Sequence, residues 1–275
     1  MKTSILLKRY GIKLKRSLGQ NFLSDERIAE RIVDAVDLSS EDFVVEIGAG
    51  AGTLTEEILK RGANVVAFEI DESLRKLLED RLGNYGNLKL IFEDFLKYDL
   101  STFGENTIYM GNIPYHITSP LLEKLLLDSP GFKFIVLMVQ KELAGRIMCE
   151  GRSRNFSSLS VLVNLFCKVE KLFDVSRSHF IPNPNVESTV LKLTPRVRKE
   201  LKNVDEFLRF SRLLFSMRRK KIKNSLTMKG HRGYLERIQE TPLSWVLERR
   251  IEELDLDVLI ELFKLLEEGG ESKKD

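Results

Sequence analysis

Apolar positions along the chain alternate between short β-rich runs and stretches in which they recur every three or four residues. Ile28, Ile32, Val33 and Val36 share one helical face behind a cap at Ser24-Asp25-Glu26-Arg27. Residues 43–47 read as a first strand, and a helix follows from its cap Thr53 through Leu54, Ile58 and Leu59 to a stop at Gly62. A second strand is expected over 64–70, then a helix on Leu74, Leu77, Leu78 and Leu82 that Gly83 closes. A third strand covers 88–92, and a fourth ends on Ile108-Tyr109-Met110. Thr118-Ser119-Pro120 opens the helix behind it, over 121–127, with Pro in the first turn. A fifth strand over 132–139 has the apolar run of a buried parallel strand, and Gln140-Lys141-Glu142 starts the next helix. Strands over 159–169 and 186–193 complete the set. Such alternation predicts a doubly wound α/β sheet. Beyond Pro195 the pattern is helical throughout, on Phe207, Phe210, Leu213 and Leu214, then Ile222 and Leu226, then Val246 and Leu247, then 254–266. Two domains are predicted, 1–195 and 196–275, the second small and all-α, with a polar tail over 267–275 that frays.

Composition narrows the class without changing this picture. A chain of 275 residues, 43% of them apolar, can bury a full core. No apolar run is long enough to cross a bilayer, and residues 1–20 lack the apolar segment of a secretory signal, so a soluble, cytoplasmic protein with no membrane association is expected. Cys149 and Cys167 lack paired ligand spacing, and His116, His179 and His231 are scattered, so no metal centre is expected. The net charge is +3, unevenly placed. Lys2, Lys8, Arg9, Lys13, Lys15 and Arg16 precede the first acid, Asp25, and a second run joins Arg218-Arg219-Lys220-Lys221 to Lys223. Two basic patches on a near-neutral chain suit a localised polyanion site, or else form a solvated tail and a solvated helix face.

The candidate chemistry sits where predicted strands meet loops. Gly48-Ala49-Gly50-Ala51-Gly52 lies between a strand and a helix, where glycine lets backbone approach a nucleotide closely. The third glycine comes one residue earlier than in the dinucleotide pattern, and Glu46 precedes the set. That acid would repel a pyrophosphate but could hold the amino group of a methionine-like moiety, which favours a nucleoside cofactor without phosphates. Glu69, about 20 residues beyond the loop, is placed to accept two ribose hydroxyls, or else to initiate a helix. Asp94 could bond an adenine amino group beside Phe95, or simply make a turn. Gly111-Asn112-Ile113-Pro114-Tyr115 suits a grip on an exocyclic amine: the Asn112 oxygen and the carbonyl ahead of Pro114 accept N–H bonds while Tyr115 stacks. The same five residues also suit a turn with a core Tyr. Phe180-Ile181-Pro182-Asn183-Pro184 is a stiff loop whose Phe180 could face Tyr115 and clamp a base extruded from RNA or DNA, or could equally be a core Phe.

With these motifs assembled, the chain resembles the rRNA adenine N6-dimethyltransferase family, most closely its small-subunit branch. The resemblance runs through residues 19–23, 45–52, Glu69-Ile70-Asp71, Glu93-Asp94, 111–115 and 180–188. It implies a Rossmann-like class I S-adenosylmethionine-dependent methyltransferase sheet in 1–195 and a helical RNA-recognition domain in 196–275. It also implies that Asn21, Leu23, Gly48, Gly50, Glu69, Asp94 and Asn112 contact S-adenosyl-L-methionine. Asn112, Pro114 and Tyr115 would hold the target adenine, with Phe180 stacking on it. The implied reaction is N6,N6-dimethylation of two adjacent adenines in a hairpin loop near the 3′ end of small-subunit (16S) rRNA, within an assembling 30S particle, by a monomer. The erythromycin-resistance branch, which modifies large-subunit rRNA, is the rival; Ile113 is common there where the small-subunit branch usually has Leu, so residues 111–115 do not separate the two. Residues 215–226 resemble the small-subunit branch and mark Arg218, Arg219, Lys220 and Lys221 as RNA-binding. Further readings are a mainly non-catalytic small-subunit assembly factor, a DNA adenine methyltransferase, and a nicotinamide dehydrogenase, which the glycine spacing and the absence of an obvious proton donor set disfavour.

Overall fold

The computed structural model describes residues 3–196 and 201–271. The chain forms two compact units, Met1–Ala144 with Lys168–Pro195, and Gly145–Cys167 with Arg196–Asp275. The strands are β1 (Phe22–Leu23), β2 (Phe43–Ile47), β3 (Asn64–Phe68), β4 (Leu88–Ile91), β5 (Ile108–Asn112), β6 (Phe134–Gln140), β7 (Cys167–Val175), β8 (Phe180–Ile181) and β9 (Ser188–Pro195). Seven of them make one sheet in the order β4-β3-β2-β5-β6-β9-β7. β2 pairs in parallel with β3 and β5, and β6 pairs antiparallel with β9, Met138 opposite Val190. This is the doubly wound α/β sheet expected from the sequence, with helices such as Glu26–Asp34, Thr53–Lys60 and Arg75–Leu82 alongside it.

The strand order reverses between β2 and β5. A crevice therefore opens beyond their carboxyl ends, the position at which open α/β sheets bind ligands. Beyond Phe43, β2 is buried on both faces, with Val44 and Val45 at 0% exposure, so its β-branched side chains hold the sheet centre rigid. On the same sheet the Phe68 ring packs edge-on against Phe95 and Tyr98, with centroids 5.0 and 4.8 Å apart, which anchors the loop bearing Asp94. Gly111 brings β5 close to β2: a Cβ there would lie 2.5 Å from the Ile47 carbonyl oxygen and 2.8 Å from Ile113 Cδ1. Gly111→Ala is therefore expected to lower stability by about 2 kcal/mol or more through overpacking of fixed backbone, read as a lower denaturant midpoint at unchanged slope.

The second unit holds the helices Val204–Phe215, Ile222–Met228, Arg232–Gln239 and Leu256–Glu271. Phe207 and Phe210 both meet the Phe263 ring, at 5.5 and 5.7 Å between centroids. Residues 145–167, assigned to the first domain by the sequence reading, belong to this unit. The run read as a strand over 159–169 is instead the helix Ser158–Phe166, followed by β7. Ser157 and Ser160 cap its start reciprocally, and a short run apolar on every side does not distinguish buried helix from buried strand. Asn164 fastens the helix to the end of the preceding one, Lys141–Ile147, and to the loop after it, by donating to the Ile147 and Cys149 carbonyls at 3.0 and 3.2 Å.

Three local expectations are also revised. Gly52, left-handed at φ 78°, caps Thr53–Lys60 in place of Thr53, which is the first helical residue and is buried. The basic N-terminal tail contains a helix, Thr3–Arg9, that buries Leu6 and Leu7. Residues 267–271 of the tail expected to fray continue the last helix, and 272–275 lie outside the described residues. Among the described residues no helix is long and apolar enough to cross a membrane.

Candidate active site

The crevice beyond β2 and β5 holds a cavity of about 280 Å³, near the lower end for small-molecule sites. Its floor is the glycine turn after β2, in which Gly48, Gly50 and Gly52 all take positive φ, 80°, 57° and 78°. Its walls include Asn21, Leu23, Glu69, Asp94, Asn112 and Pro114, so the structure gathers every residue expected to meet the cofactor.

Glu69 sits just past the tip of β3 and is 6% exposed. Its Oε2 accepts the Gly50 N–H and its Oε1 the Asp71 N–H, both at 2.8 Å. Burial raises its pKa and the Asp71 carboxylate adds to this, while the backbone donors oppose them. Each oxygen can accept more than one donor, so the carboxylate keeps acceptor capacity toward the cavity, which suits a pair of vicinal hydroxyls. Beside it Ile70 is 50% exposed, an apolar side chain on the cavity wall that suits a flat ring.

Glu46 is 1% exposed on the central strand, and its Oε2 has no hydrogen-bond partner among the described residues. Burial pushes its pKa up to about 8; the Glu69 charge adds to this, and the nearby Thr55 hydroxyl opposes it without completing a bond of normal geometry. From about pH 4.5 to about 8 the folded protein thus keeps a proton that the unfolded chain has released. Stability is expected to fall as pH rises through that window and to level off above it. Glu46→Gln should flatten the decline in thermal midpoints measured across the window.

Asn112 closes β5 and is half-buried. Its side chain bonds the Asn21 carbonyl at 2.8 Å; a carbonyl only accepts, so Nδ2 faces Asn21 and Oδ1 is left to accept from a ligand. Asp94 spends Oδ1 on the Leu96 N–H at 3.0 Å. Pro114 and the exposed His116 reach the cavity; Tyr115 is half-buried and is not part of its lining. Burial raises the Tyr115 pKa and the Ser188 hydroxyl opposes it.

Phe180 is placed unlike its expectation. Its ring is 1% exposed in the core cluster of this unit, with its backbone opposite Leu23 in the two-stranded β1–β8 pair, so it offers no free face to a base. The loop's stiffness was legible, but burial of the ring depends on a strand more than 150 residues earlier in the chain. In the second unit Arg218, Arg219, Lys220 and Lys221 are all exposed. Lys221 and Lys223 are both paired with Glu248, at 2.9 and 2.5 Å, so part of that basic run is neutralised locally.

Sequence reasoning missed an ion-pair cluster at the cavity rim. Asp71 accepts from Lys15 Nζ and from Gln20 Nε2, each at 2.6 Å. Burial raises the Asp71 pKa, but Lys15, Ser73 and Gln20 more than offset it and hold it at about 2. The partners lie 56 and 51 residues apart, and no local pattern signals such a meeting.

Comparison with known proteins accords with this geometry. Residues 11–268 match the family model for ribosomal RNA adenine dimethylase. The ribosomal RNA small subunit methyltransferase A of Thermotoga maritima is 48% identical over 265 residues, covering 96% of this chain and 89% of that one. The protein of the same name from a Geobacillus species is 38% identical, covering 93% and 89%. Among solved structures, a dimethyladenosine transferase from Plasmodium falciparum superposes with a TM-score of 0.75 at 31% identity, covering 91% of this chain and 98% of that one. The 23S rRNA methyltransferase ErmE gives 0.68 at 26%, covering 90% and 100%. The chain belongs to the ribosomal RNA adenine dimethylase family and is an S-adenosylmethionine-dependent rRNA methyltransferase.

Proposed function

We propose that the protein dimethylates N6 of two adjacent adenines in a hairpin loop near the 3′ end of small-subunit rRNA, acting as a cytoplasmic monomer on an assembling 30S particle. The observation that carries the reading at the site is the Asn112 amide, its nitrogen held by Asn21 and its oxygen left for an amino group at the cavity wall. Similarity to small-subunit enzymes at 38–48% identity favours the small subunit over the large subunit, whose solved relative ErmE is 26% identical.

The residues present suit S-adenosylmethionine. The positive-φ glycine turn leaves room for close backbone approach, Glu69 keeps lone pairs for a ribose, and the orphaned oxygen of Glu46 suits an ammonium group. Ile70 would pack on the adenine ring of the cofactor, with Asp94 Oδ2 accepting from its amino group. Bound there, S-adenosylmethionine supplies an electrophilic methyl group on a sulfonium.

The chain's own work is positioning. The lone pair of an adenine amine is delocalised into the ring, which makes it a poor nucleophile. In the first transfer Asn112 Oδ1 and the Ile113 carbonyl, accepting the two N6 hydrogens, would turn that lone pair out of conjugation and toward the methyl group; in the second, one of the two would hold the remaining N–H. With the cofactor bound, transfer would break its methyl C–S bond and form the N–C bond, and the now acidic nitrogen would release its proton to water, so no carboxylate base is needed at 111–115. Arg218, Arg219 and Lys220 would contact RNA phosphates, giving an affinity that falls steeply with salt. The test is incubation with radiolabelled S-adenosylmethionine and immature small subunits, followed by mapping of the labelled base. Label on two adjacent adenines of a hairpin loop near the 3′ end supports the reading; label confined to other bases, or no label on small subunits while parallel incubations with immature large subunits are labelled, overturns it.

A further inference from the structure

Where the N-terminal segment reaches the cavity it is held by an acidic anchor, Asp71. Asp71, whose side chain is fully buried, accepts from Lys15 Nζ, Gln20 Nε2, the Ser73 N–H and the Ser73 hydroxyl. Gln20 Oε1 in turn accepts the Lys15 N–H at 2.7 Å, so Lys15, Gln20 and Asp71 close a ring of hydrogen bonds. The next residue, Asn21, gives its carbonyl to Asn112 Nδ2 and its own Nδ2 to the Gly19 carbonyl at 3.1 Å. Beyond it the segment is tied down separately, by β1 on β8 and by the Ser24 N–H on the His179 carbonyl. Asp71 also donates its backbone N–H to Glu69. One acid thus meets the Glu69 wall through its backbone and, through its side chain, the Lys15–Gln20 stretch that runs into Asn21, the partner of Asn112.

We propose that Asp71 is a positioning residue which, through Lys15 and Gln20, holds Asn21 where its carbonyl keeps the Asn112 amide oxygen turned toward the substrate amine. The inference rests on the role given to Asn112 above. An amide rotated by 180° would present N–H to N–H and lose the bond that aims the adenine nitrogen. Asn112 is packed on its own strand, yet nothing in that strand distinguishes its oxygen from its nitrogen. The Asn21 carbonyl supplies the distinction, and the ring of bonds on Asp71 fixes that carbonyl. The segment before Asn21 is therefore part of the positioning apparatus as well as a wall of the cavity.

The test compares Lys15→Met, Asp71→Asn, their double variant and Lys15→Arg, with saturating S-adenosylmethionine and immature small subunits as substrate. Lys15 has a half-exposed side chain, so its replacement removes little packing, and a melting temperature taken for every variant separates a loss of rate from the cost of leaving the buried Asp71 without its cation. Expected are a fall in kcat of about tenfold for Lys15→Met and more for Asp71→Asn, with KM for the subunits changed less than about twofold, as a small misplacement of a catalytic group produces. The double variant should be no worse than Asp71→Asn, and Lys15→Arg should recover most of the rate. Trypsin should cut after Lys13 faster in Lys15→Met and Asp71→Asn than in the wild type, while Asn112→Ala, whose anchor is intact, should be cut at the wild-type rate. Unchanged kcat in Lys15→Met alongside an inactive Asn112→Ala overturns the anchoring role and leaves the Asn112 assignment standing. An active Asn112→Ala overturns that assignment itself. A loss confined to Asp71→Asn that tracks a lowered melting temperature also overturns the proposal, since it reports lost stability alone.

Discussion

Asn112→Ala is expected to lower kcat by about a hundred- to a thousandfold while leaving RNA affinity within about twofold of wild type, the range seen when one transition-state hydrogen-bonding group is removed from a preorganised site. The reason is the division of labour within one side chain. Nδ2 is committed to the Asn21 carbonyl at 2.8 Å, so the amide cannot rotate without breaking a part-buried bond, and Oδ1 is left to localise the amine lone pair. Asn112→Asp tests the same point more sharply. A carboxylate there would set an acceptor against the Asn21 carbonyl and would reorient or displace the segment, so near-isosteric size should not rescue the rate. Filter binding with small-subunit RNA and single-turnover methylation separate the two effects. A variant with near-normal turnover would sink the assignment.

Glu69→Gln is the second large effect, and its size follows from hydrogen-bond valence. Both carboxylate oxygens accept a backbone N–H at 2.8 Å, from Gly50 and from Asp71. A glutamine amide has one oxygen, so whichever way it turns its NH2 group meets a donor. Isosteric replacement therefore breaks a buried bond and also weakens the acceptor offered to a ribose. S-adenosylmethionine affinity is expected to fall about a hundredfold, nearly as far as in Glu69→Ala, as measured by calorimetry. A glutamine variant that binds within about threefold of wild type would show that Glu69 acts through its shape and not through its two accepting oxygens.

What could be read from the sequence was what local backbone geometry demands. Gly48, Gly50 and Gly52 announced a turn of positive φ, and such a turn after a strand and before a helix has few other uses. Asn112 and Glu69 were legible for a related reason: each follows a β-rich run, and strand tips at a reversal of strand order face the same crevice. The helix Ser158–Phe166 was misread because a fully buried helix has no polar face to betray its period. The reciprocal pair Ser157 and Ser160 was the available signal, and it was missed for want of the usual acidic partner. Phe180 was given a functional face because its prolines fix the loop, yet burial of its ring depends on β1, and that pairing has no local mark. The Asp71 ring belongs to the same class, since it joins groups brought together by the completed fold.

The helix Ser158–Phe166 also bears on how the chain is made. It packs on Val204–Phe215 and on Leu256–Glu271, which are synthesised later, and Val161, Leu162, Val163 and Leu165 are all buried. A ribosome that has released residues 1–195 has therefore emitted an apolar helix whose cover does not yet exist. During vectorial synthesis the first unit can complete its sheet early, while this insert waits for the last helices. A protein cut after Pro195 would carry that helix permanently exposed and would be prone to self-association. The boundary at which the composition changes is thus not a place where the polypeptide can be divided.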